Sequence, residues 1–201
     1  PAVTVATAVS GIQKAMKHVS NINVYGFAIF LIFLLVFSNA SFLFNLSTEA
    51  LGGFAGTFIE RILITSESVG TQWPQWWTTF YWFSWMAWAP TSGAFMGQIA
   101  YGRKVKHVLG LYVGLCASVS ALWMVLVSGT SLWVQTSGLF DLVASYDRGV
   151  ENVPYDMLGA LPLGNLIIPL FVVLIFLSTI TACNSNCIAM AGISTQGINP
   201  D

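Results

Sequence analysis

Residues 76–88 read WWTTFYWFSWMAW, and this stretch decides how the rest of the chain is interpreted. Five of these thirteen residues are tryptophans, and Phe80, Tyr81 and Phe83 add three more rings. No Asp, Glu, Lys or Arg occurs anywhere from residue 68 to residue 102. So many aromatic side chains in one uncharged segment indicate a packed core, the interfacial belt of a membrane protein, or a pocket for a cation.

The composition of the whole chain favours a membrane protein. Its 201 residues are 56% hydrophobic and only 7% charged, and the mean hydropathy is +0.74. In a soluble domain about a quarter of the residues are charged. A soluble bundle that buried so many apolar helices would need a larger polar surface than this chain can supply. The net charge of -1 and the lack of a basic tract give no indication of nucleic-acid binding.

Four long windows of the sequence contain no Asp, Glu, Lys or Arg. Each is longer than the roughly 20 apolar residues that a helix needs to cross the hydrocarbon of a bilayer. The windows cover residues 18–48, 68–102, 108–140 and 157–200. We therefore predict an all-α membrane protein in which residues 1–13 end one span and further spans cover residues 23–44, 76–101, 108–134 and 163–190.

Residues 49–66 differ from the windows because they are apolar but carry Glu49, Glu60 and Arg61. On a helix, the two glutamates would lie opposite a face made of large apolar side chains. That face consists of Leu51, Phe54, Phe58 and Ile62. The pattern predicts a helix lying in the membrane interface, and a polar extension of a span is the alternative.

The distribution of charge predicts the orientation of the spans. Short basic clusters follow residues 13 and 101, and such clusters favour the cytoplasmic side. The acidic loop at residues 141–156 then falls outside, which agrees with the number of predicted spans. Because the chain starts without Met or a charged leader, we expect an internal fragment of a longer multi-pass protein.

The aromatic stretch has a regular arrangement on a helix. A rotation of about 100° per residue places Trp77, Tyr81, Trp85 and Trp88 within about 80° of one another. Aromatic faces attract cations, and quaternary ammonium groups suit them well because their charge is diffuse. The lack of Asp and Glu in this span fits recognition by ring faces alone. The alternative is a stripe that only packs helices together.

Two further groups of residues indicate function less directly. Pro90 removes a helical hydrogen bond, and Gly93 follows it, so the two predict a hinge in the aromatic span. Farther along, Ser178, Thr181 and Ser185 fall on one helical face. Their hydroxyls could bind a hard cation such as sodium or could link neighbouring helices, and both interpretations remain open.

The sequence argues against an enzyme. The predicted spans contain no charged residue from which a nucleophile–base pair could be built. The cysteines at positions 116, 183 and 187 form no CxxC pair, and the two histidines are distant in sequence, so no metal site is predicted.

The stretch at residues 77–90, WTTFYWFSWMAWAP, resembles the signature of the betaine/carnitine/choline transporters, whose typical pattern is WTxFYWxWWxxWxP. Gly93 and the pair at residues 102–103 stand where the family has a glycine and a basic GR turn. Residues 20–23, SNIN, resemble the family's SNxN turn between two spans. Residues 181–185, TACNS, look like a diverged form of its TSADS stretch.

The resemblance implies a LeuT-like fold of two inverted five-helix repeats within a twelve-span protein. The chain would cover the end of helix six through helix ten, and the missing helices of the full-length chain would complete the bundle. The resemblance implies alternating-access transport of a betaine-like quaternary ammonium or related zwitterionic solute across the plasma (inner) membrane. It also implies that the interfacial helix at residues 49–66 helps to form a homotrimer.

Site residues follow from the match to the signature. Trp82, Trp85 and Trp88 match tryptophans at or beside the substrate path, and Trp85 and Trp88 are expected to contact a trimethylammonium group. Ser84 departs from the family, which usually has a Trp there, so a wider pocket is expected. The candidate substrate-binding residues are therefore Trp77, Tyr81, Trp82, Ser84, Trp85 and Trp88.

The resemblance leaves sodium open as the coupling ion, and no other cofactor is expected. In sodium-coupled members a Thr-Ser pair in helix ten supplies hydroxyl ligands. Thr181 keeps the first hydroxyl, whereas Ala182 lacks the second, and Asn184 stands where the family often has Asp. Sodium-independent exchange within the same family is one alternative function. A channel-like or structural membrane protein whose tryptophans only pack helices is another.

Overall fold

The computed structural model describes residues 12–67 and 70–194, and the regular structure in these residues is helical throughout. The all-α prediction is therefore confirmed for the described chain, while the predicted end of a span at residues 1–13 falls almost entirely outside it. In chain order the helices are α1 (Ile12–Phe37), α2 (Ala40–Leu63), α3 (Trp73–Ile99), α4 (Val105–Thr136), α5 (Leu142–Arg148), α6 (Val153–Gly159) and α7 (Gly164–Ser194).

Three of these helices are long and apolar enough to cross a membrane. The qualifying segments are Lys17–Phe37 of α1, the whole of α4, and Gly164–Cys187 of α7, with mean hydropathies of 2.1, 2.0 and 2.7. α3 has the necessary length but is not among the helices apolar enough to cross, because the N–H of Trp and the O–H of Tyr lower the hydropathy of an aromatic-rich segment. That residues 76–101 cross the membrane stays a prediction.

Two helix boundaries differ from those that the sequence pattern predicts. Residues 20–23, expected as a turn, lie inside α1, so that prediction is wrong. Asn23 uses its side-chain amide to bond Ser178 rather than the local backbone, and so does not break the helix. The chain breaks instead at residues 38–39, where Asn39 Oδ1 accepts from the Phe42 amide at 3.0 Å and caps the start of α2.

The chain divides into two units. Of the described residues, the first unit contains 12–49 and Val105–Cys183, and its core joins α1, the start of α2, α4 and α7. Phe30 is 1% exposed and stacks on Phe171 with ring centroids 5.0 Å apart, while Phe27 meets Trp123 edge-on at 5.4 Å. These ring contacts join α1 to α4 and α7 within a core that is otherwise mostly aliphatic.

Two glycines allow close helix contacts inside the first unit. A Cβ added at Gly129 of α4 would lie 2.6 Å from Leu43 Cδ2 of α2, which is too short for a real contact. A Cβ added at Gly26 of α1 would collide with Leu174 of α7. Small residues at helix crossings let backbones approach closely, which favours packing where water is absent.

The acidic loop predicted at residues 141–156 is an ordered cap built on α5 and α6. Asp141 accepts from the amides of Val143 and Ala144, while Gln135 Oε1 accepts from the Leu142 amide at 2.6 Å. In addition, the fully buried Ser145 donates to Asp156 Oδ2 at 2.6 Å, and Arg148 forms a salt bridge to the same oxygen at 2.7 Å. The loop charges therefore serve helix capping and cross-links between α5 and α6.

The second unit contains residues 50–67, 70–104 and 184–194 of the described chain. It includes most of α2, the connection to α3, and α3 itself. The large apolar side chains of the predicted interfacial face, Leu51, Phe54, Phe58 and Ile62, are exposed there. A lipid or protein partner suits such a surface better than water does.

Candidate functional site

α3 is the element that carries the predicted substrate site. Thr71 Oγ1 accepts from the Trp73 amide at 3.3 Å, and Pro74 stands in the first turn, where its missing N–H costs no helical bond. The helix continues through Pro90 to Ile99. Because Pro90 has no N–H, the carbonyl of Met86 lacks its usual intrahelical donor. The helix is weakened at the predicted hinge but is not ended there.

Aromatic contacts are concentrated in the first half of α3. Trp77 lies 5.8 Å from Trp73 and 6.1 Å from Tyr81 between ring centroids, and it meets Phe80 edge-on at 5.8 Å. The structure therefore brings together two of the predicted site residues, Trp77 and Tyr81. These tilted and edge-on ring contacts form a continuous aromatic surface at the start of the helix.

Trp85 and Trp88 are different, because both present unstacked rings. Trp85 is 67% exposed and Trp88 is 51% exposed. Neither belongs to an aromatic pair among the described residues, whereas Ser84 beside them is half-buried. Two indole faces without ring partners, on a helix with no charged side chain, are suited to a diffuse cation.

The rest of the predicted site on α3 is open. Trp82 is 64% exposed, and a Cβ added at Gly93 would meet no atom within 4 Å. The described residues therefore provide an accessible aromatic surface on α3, and not an enclosed pocket.

The predicted ion-binding hydroxyls lie on α7. Ser178 Oγ accepts from Asn23 Nδ2 of α1 at 2.8 Å, and Thr181 Oγ1 donates to the Leu177 carbonyl at 2.9 Å. Ser185 is half-buried one turn farther along the helix. The bond between Asn23 and Ser178 links two candidate spans, which is the role of interhelical hydrogen bonds in membranes.

Sequence reasoning missed Asn23 as a partner of this polar group. Its Oδ1 is buried and has no hydrogen-bond partner among the described residues, although its Nδ2 is bonded. A polar amide inside an apolar segment was the available signal, but Asn23 was interpreted as part of the turn motif at residues 20–23. Buried polar groups inside membranes are costly unless they are paired, so Asn23 belongs with the functional candidates.

Comparisons with known proteins place this geometry in context. The chain matches, over residues 1–201, the profile of the BCCT, betaine/carnitine/choline family transporter. It is 29% identical over 196 residues to a probable glycine betaine transporter of Desulfitobacterium hafniense, an alignment that covers 96% of this chain and 38% of that protein. It is also 27% identical to uncharacterized transporters of Mycobacterium bovis and Mycobacterium tuberculosis, covering 98% of this chain and 33% of each relative.

The chain thus spans about a third of the length of the curated relatives it matches. The family profile covers the whole of it, and α1, α4 and α7 are long and apolar enough to cross a membrane. The family consists of transporters and not of enzymes. The chain therefore belongs to the betaine/carnitine/choline transporter family and to an integral, multi-pass membrane protein.

Proposed function

We propose that this protein moves a betaine-like quaternary ammonium or related zwitterionic solute across the plasma (inner) membrane by alternating access. Membership in the transporter family and similarity to a probable glycine betaine transporter support the solute class. The bundle would be LeuT-like, with one group of helices rocking around a site near the membrane midplane. Helices beyond this chain would complete the site, and the exposed face of α2 would help to form a homotrimer.

The observation that carries the proposal is the pair of exposed, unstacked indoles at Trp85 and Trp88 in an uncharged helix. A cation over an aromatic face gains about 0.5–1 kcal/mol when exposed and about 2 kcal/mol when desolvated. Two such faces supply enough to hold a trimethylammonium group without a buried carboxylate. A zwitterionic solute brings no net charge into the site, which fits the lack of Asp and Glu in α3, while its carboxylate still requires hydrogen-bond donors.

The other residues of α3 have supporting roles in this proposal. Trp82 flanks the cation, and the neighbouring rings of Trp77 and Tyr81 line the outer approach. Ser84 leaves room for a bulkier or more polar solute than an indole at that position would allow. Pro90 and Gly93 let the helix bend as access alternates between the two sides.

Two modes of energy coupling are candidates for solute transport, and the residue at position 182 distinguishes between them. Sodium coupling would use oxygens near Thr181, Ser178 and Ser185 on α7. Ala182 cannot supply a side-chain oxygen, which favours the second candidate, sodium-independent exchange of one solute for another. A channel-like or structural role is the remaining alternative, in which the α3 stripe only packs helices.

The test is uptake by the full-length protein in proteoliposomes. Glycine betaine, choline and carnitine are compared as substrates and competitors, with and without an inward sodium gradient. Trp88→Ala is expected to raise KM by about tenfold or more, because a cation–π contact of about 1.4 kcal/mol or more is lost. Trp88→Phe should recover part of the affinity, since it restores an aromatic face.

Phe83→Ala is the control, because Phe83 is equally exposed but lies on the opposite side of α3 from Trp85 and Trp88. It should leave KM close to that of the unmodified protein. Uptake that needs solute on the far side but no sodium would establish the exchange mode. An absence of saturable uptake for all three solutes would overturn the proposal in favour of the packing role.

A further inference from the structure

A groove lies where the connection between α2 and α3 folds against the first two turns of α3. Its volume is about 670 Å³. One carboxylate, two amides, one hydroxyl and two aromatic rings line it. These belong to Glu67, Gln72, Gln75, Trp76, Thr79 and Phe80. The groove is lined entirely by residues of the second unit.

Specific hydrogen bonds hold the connection in this shape. Gln75 Nε2 donates to the Thr65 carbonyl at 2.7 Å and ties the connection to α3. The Gly70 amide donates to the Glu67 carbonyl at 3.2 Å, and Gly70 has a φ of 68°, which glycine adopts without strain. Glu67, at the start of this turn, belongs to the lining of the groove.

Two exposed aromatic side chains, Trp76 and Phe80, contribute to the lining of the groove. Trp76 is 73% exposed, and its Nε1 donates to Gln72 Oε1 at 3.4 Å, so the polar edge of the indole is engaged while its face stays open. Phe80 is 61% exposed one turn farther along. Glu67 is the one charged residue among those that line the groove, so the groove carries a single negative charge.

This composition selects one class of ligand. A hard metal cation requires about six oxygen ligands, and one carboxylate with amides and rings does not supply them. A quaternary ammonium ion has diffuse charge, no N–H to satisfy, and an affinity for aromatic faces beside a carboxylate. The remaining amide hydrogens of the two glutamines suit the carboxylate or hydroxyl end of such a solute.

The groove lies on a different face of α3 from Trp85 and Trp88, whereas its Phe80 ring borders Trp77 and Tyr81, which line the outer approach. At about 100° per residue, Trp76, Thr79 and Phe80 centre roughly 160° around α3 from Trp85 and Trp88. It also lies at the end of α3 opposite to the basic residues at 103–107. Because basic clusters favour the cytoplasm, the predicted orientation of the spans puts this end of α3 at the outer surface.

We propose that the groove is an outer capture site that binds a free quaternary ammonium solute before it reaches the transport site. The class of ligand rests on the proposed function, whereas the site rests on the groove itself. A weak, negatively charged site at the entrance raises the local concentration of a cationic solute and so speeds its entry.

The test measures choline binding to the full-length protein in nanodiscs made of phosphatidylethanolamine and phosphatidylglycerol. These lipids contain no choline, so a lipid headgroup cannot occupy the groove. Saturation-transfer difference NMR of the choline methyl protons reports binding, and Trp88→Ala is present throughout to weaken the transport site. Glu67→Gln and Trp76→Ala should each weaken the remaining binding about fivefold.

Two controls define the chemistry. Glu60→Gln removes an exposed glutamate of α2 that does not line the groove, and it should leave binding unchanged. The uncharged isostere 3,3-dimethyl-1-butanol should bind more weakly than choline, and added salt should weaken choline but not the isostere. Binding that is equal in the Glu67, Trp76 and Glu60 variants would overturn the groove as a site.

The outcomes for the two proposals are distinguishable. Choline binding that depends on Glu67 in a protein without saturable uptake would retain the groove and reject the transport function. Normal uptake with binding that is insensitive to Glu67 and Trp76 would retain the transport function and reject the groove. A choline-lipid nanodisc that abolishes binding of added choline would assign the groove to a lipid headgroup and overturn capture of a free solute.

Discussion

At the scale of single residues, Thr130 is the least expected feature. It is fully buried in α4, and its hydroxyl has no hydrogen-bond partner among the described residues. Other hydroxyls in the long helices bond the carbonyl four residues earlier, as Ser131 and Thr136 do at 3.0 and 2.8 Å. An unpaired buried hydroxyl costs about 1–3 kcal/mol.

We expect Thr130→Val to leave the stability of the full-length protein unchanged or to raise it by about 1 kcal/mol. The substitution keeps the shape of the side chain and removes the unpaired hydroxyl. Thr130→Ser keeps the hydroxyl but loses a methyl group, so it should lower stability by about 1 kcal/mol. Thermal unfolding in detergent measures both. A loss on Thr130→Val comparable to that of Thr130→Ser would mean that the hydroxyl has a partner.

The residues that sequence could locate are those whose arrangement depends on one helix alone. The relation between Trp77 and Tyr81 follows from helical spacing, and the structure confirms that their rings are neighbours. The bond between Asn23 and Ser178 joins residues 155 positions apart. No periodicity within one helix predicts which distant helix it will meet, so this contact required the structure.

At the scale of elements, the contact between α2 and α4 depends on Gly129. Gly129→Leu should destabilise the first unit by about 1–3 kcal/mol, because its side chain would overlap Leu43, whose 1% exposure means that a shift must displace other packed side chains. Leu43→Ala in the same protein should recover part of that loss. Thermal unfolding of the two single variants and the double variant gives the coupling free energy of the pair by a double-mutant cycle.

Leu46 offers a matched control for that cycle. Its Cδ2 would lie 3.7 Å from a Cβ at Gly129, an ordinary contact distance, whereas Leu43 Cδ2 would lie at 2.6 Å. Leu46→Ala should therefore rescue Gly129→Leu less than Leu43→Ala does. Equal rescue by the two substitutions would show that the contact is not specific to Leu43.

Sequence reasoning identified element types better than element boundaries. Long charge-free windows predicted helices because hydrophobic length is their direct cause in a membrane protein. The start of α2 depends on a single cap by Asn39, which lies inside one of those windows and leaves hydropathy almost unchanged. The short helices α5 and α6 were not predictable from hydropathy either, because side-chain caps and a salt bridge stabilise them.

At the scale of the whole molecule, the orientation of the spans can be measured directly. In a background with Cys116, Cys183 and Cys187 replaced by Ala, Asp147→Cys should react with a membrane-impermeant thiol reagent on intact cells. Lys104→Cys should react only after the membrane is opened, because its basic turn faces the cytoplasm. Both side chains are exposed, so access depends on the side of the membrane. The reverse labelling pattern would show that the spans have the opposite orientation in the membrane.

The family and the membrane character were predictable from sequence, whereas the arrangement of the complete transport site was not. A signature of aromatic residues is local in the chain, and composition is a property of all its residues. The transport site instead depends on helices that approach α3 from other parts of the bundle. The described structure shows which aromatic side chains of α3 are exposed and therefore able to contact those helices.

The π-helical turn in α4, Gly110–Leu115, determines where this helix can tolerate the deletion of one residue. There the Cys116 amide bonds the Leu111 carbonyl, so the turn holds one residue more than a regular helical turn would. Deleting one residue from this turn would restore the ordinary helical repeat and leave both flanking segments in register. The same deletion within Cys116–Thr136 would rotate everything beyond it by about 100° and turn its packed face outward. The π-turn is thus the position in α4 that can lose a residue at the smallest structural cost.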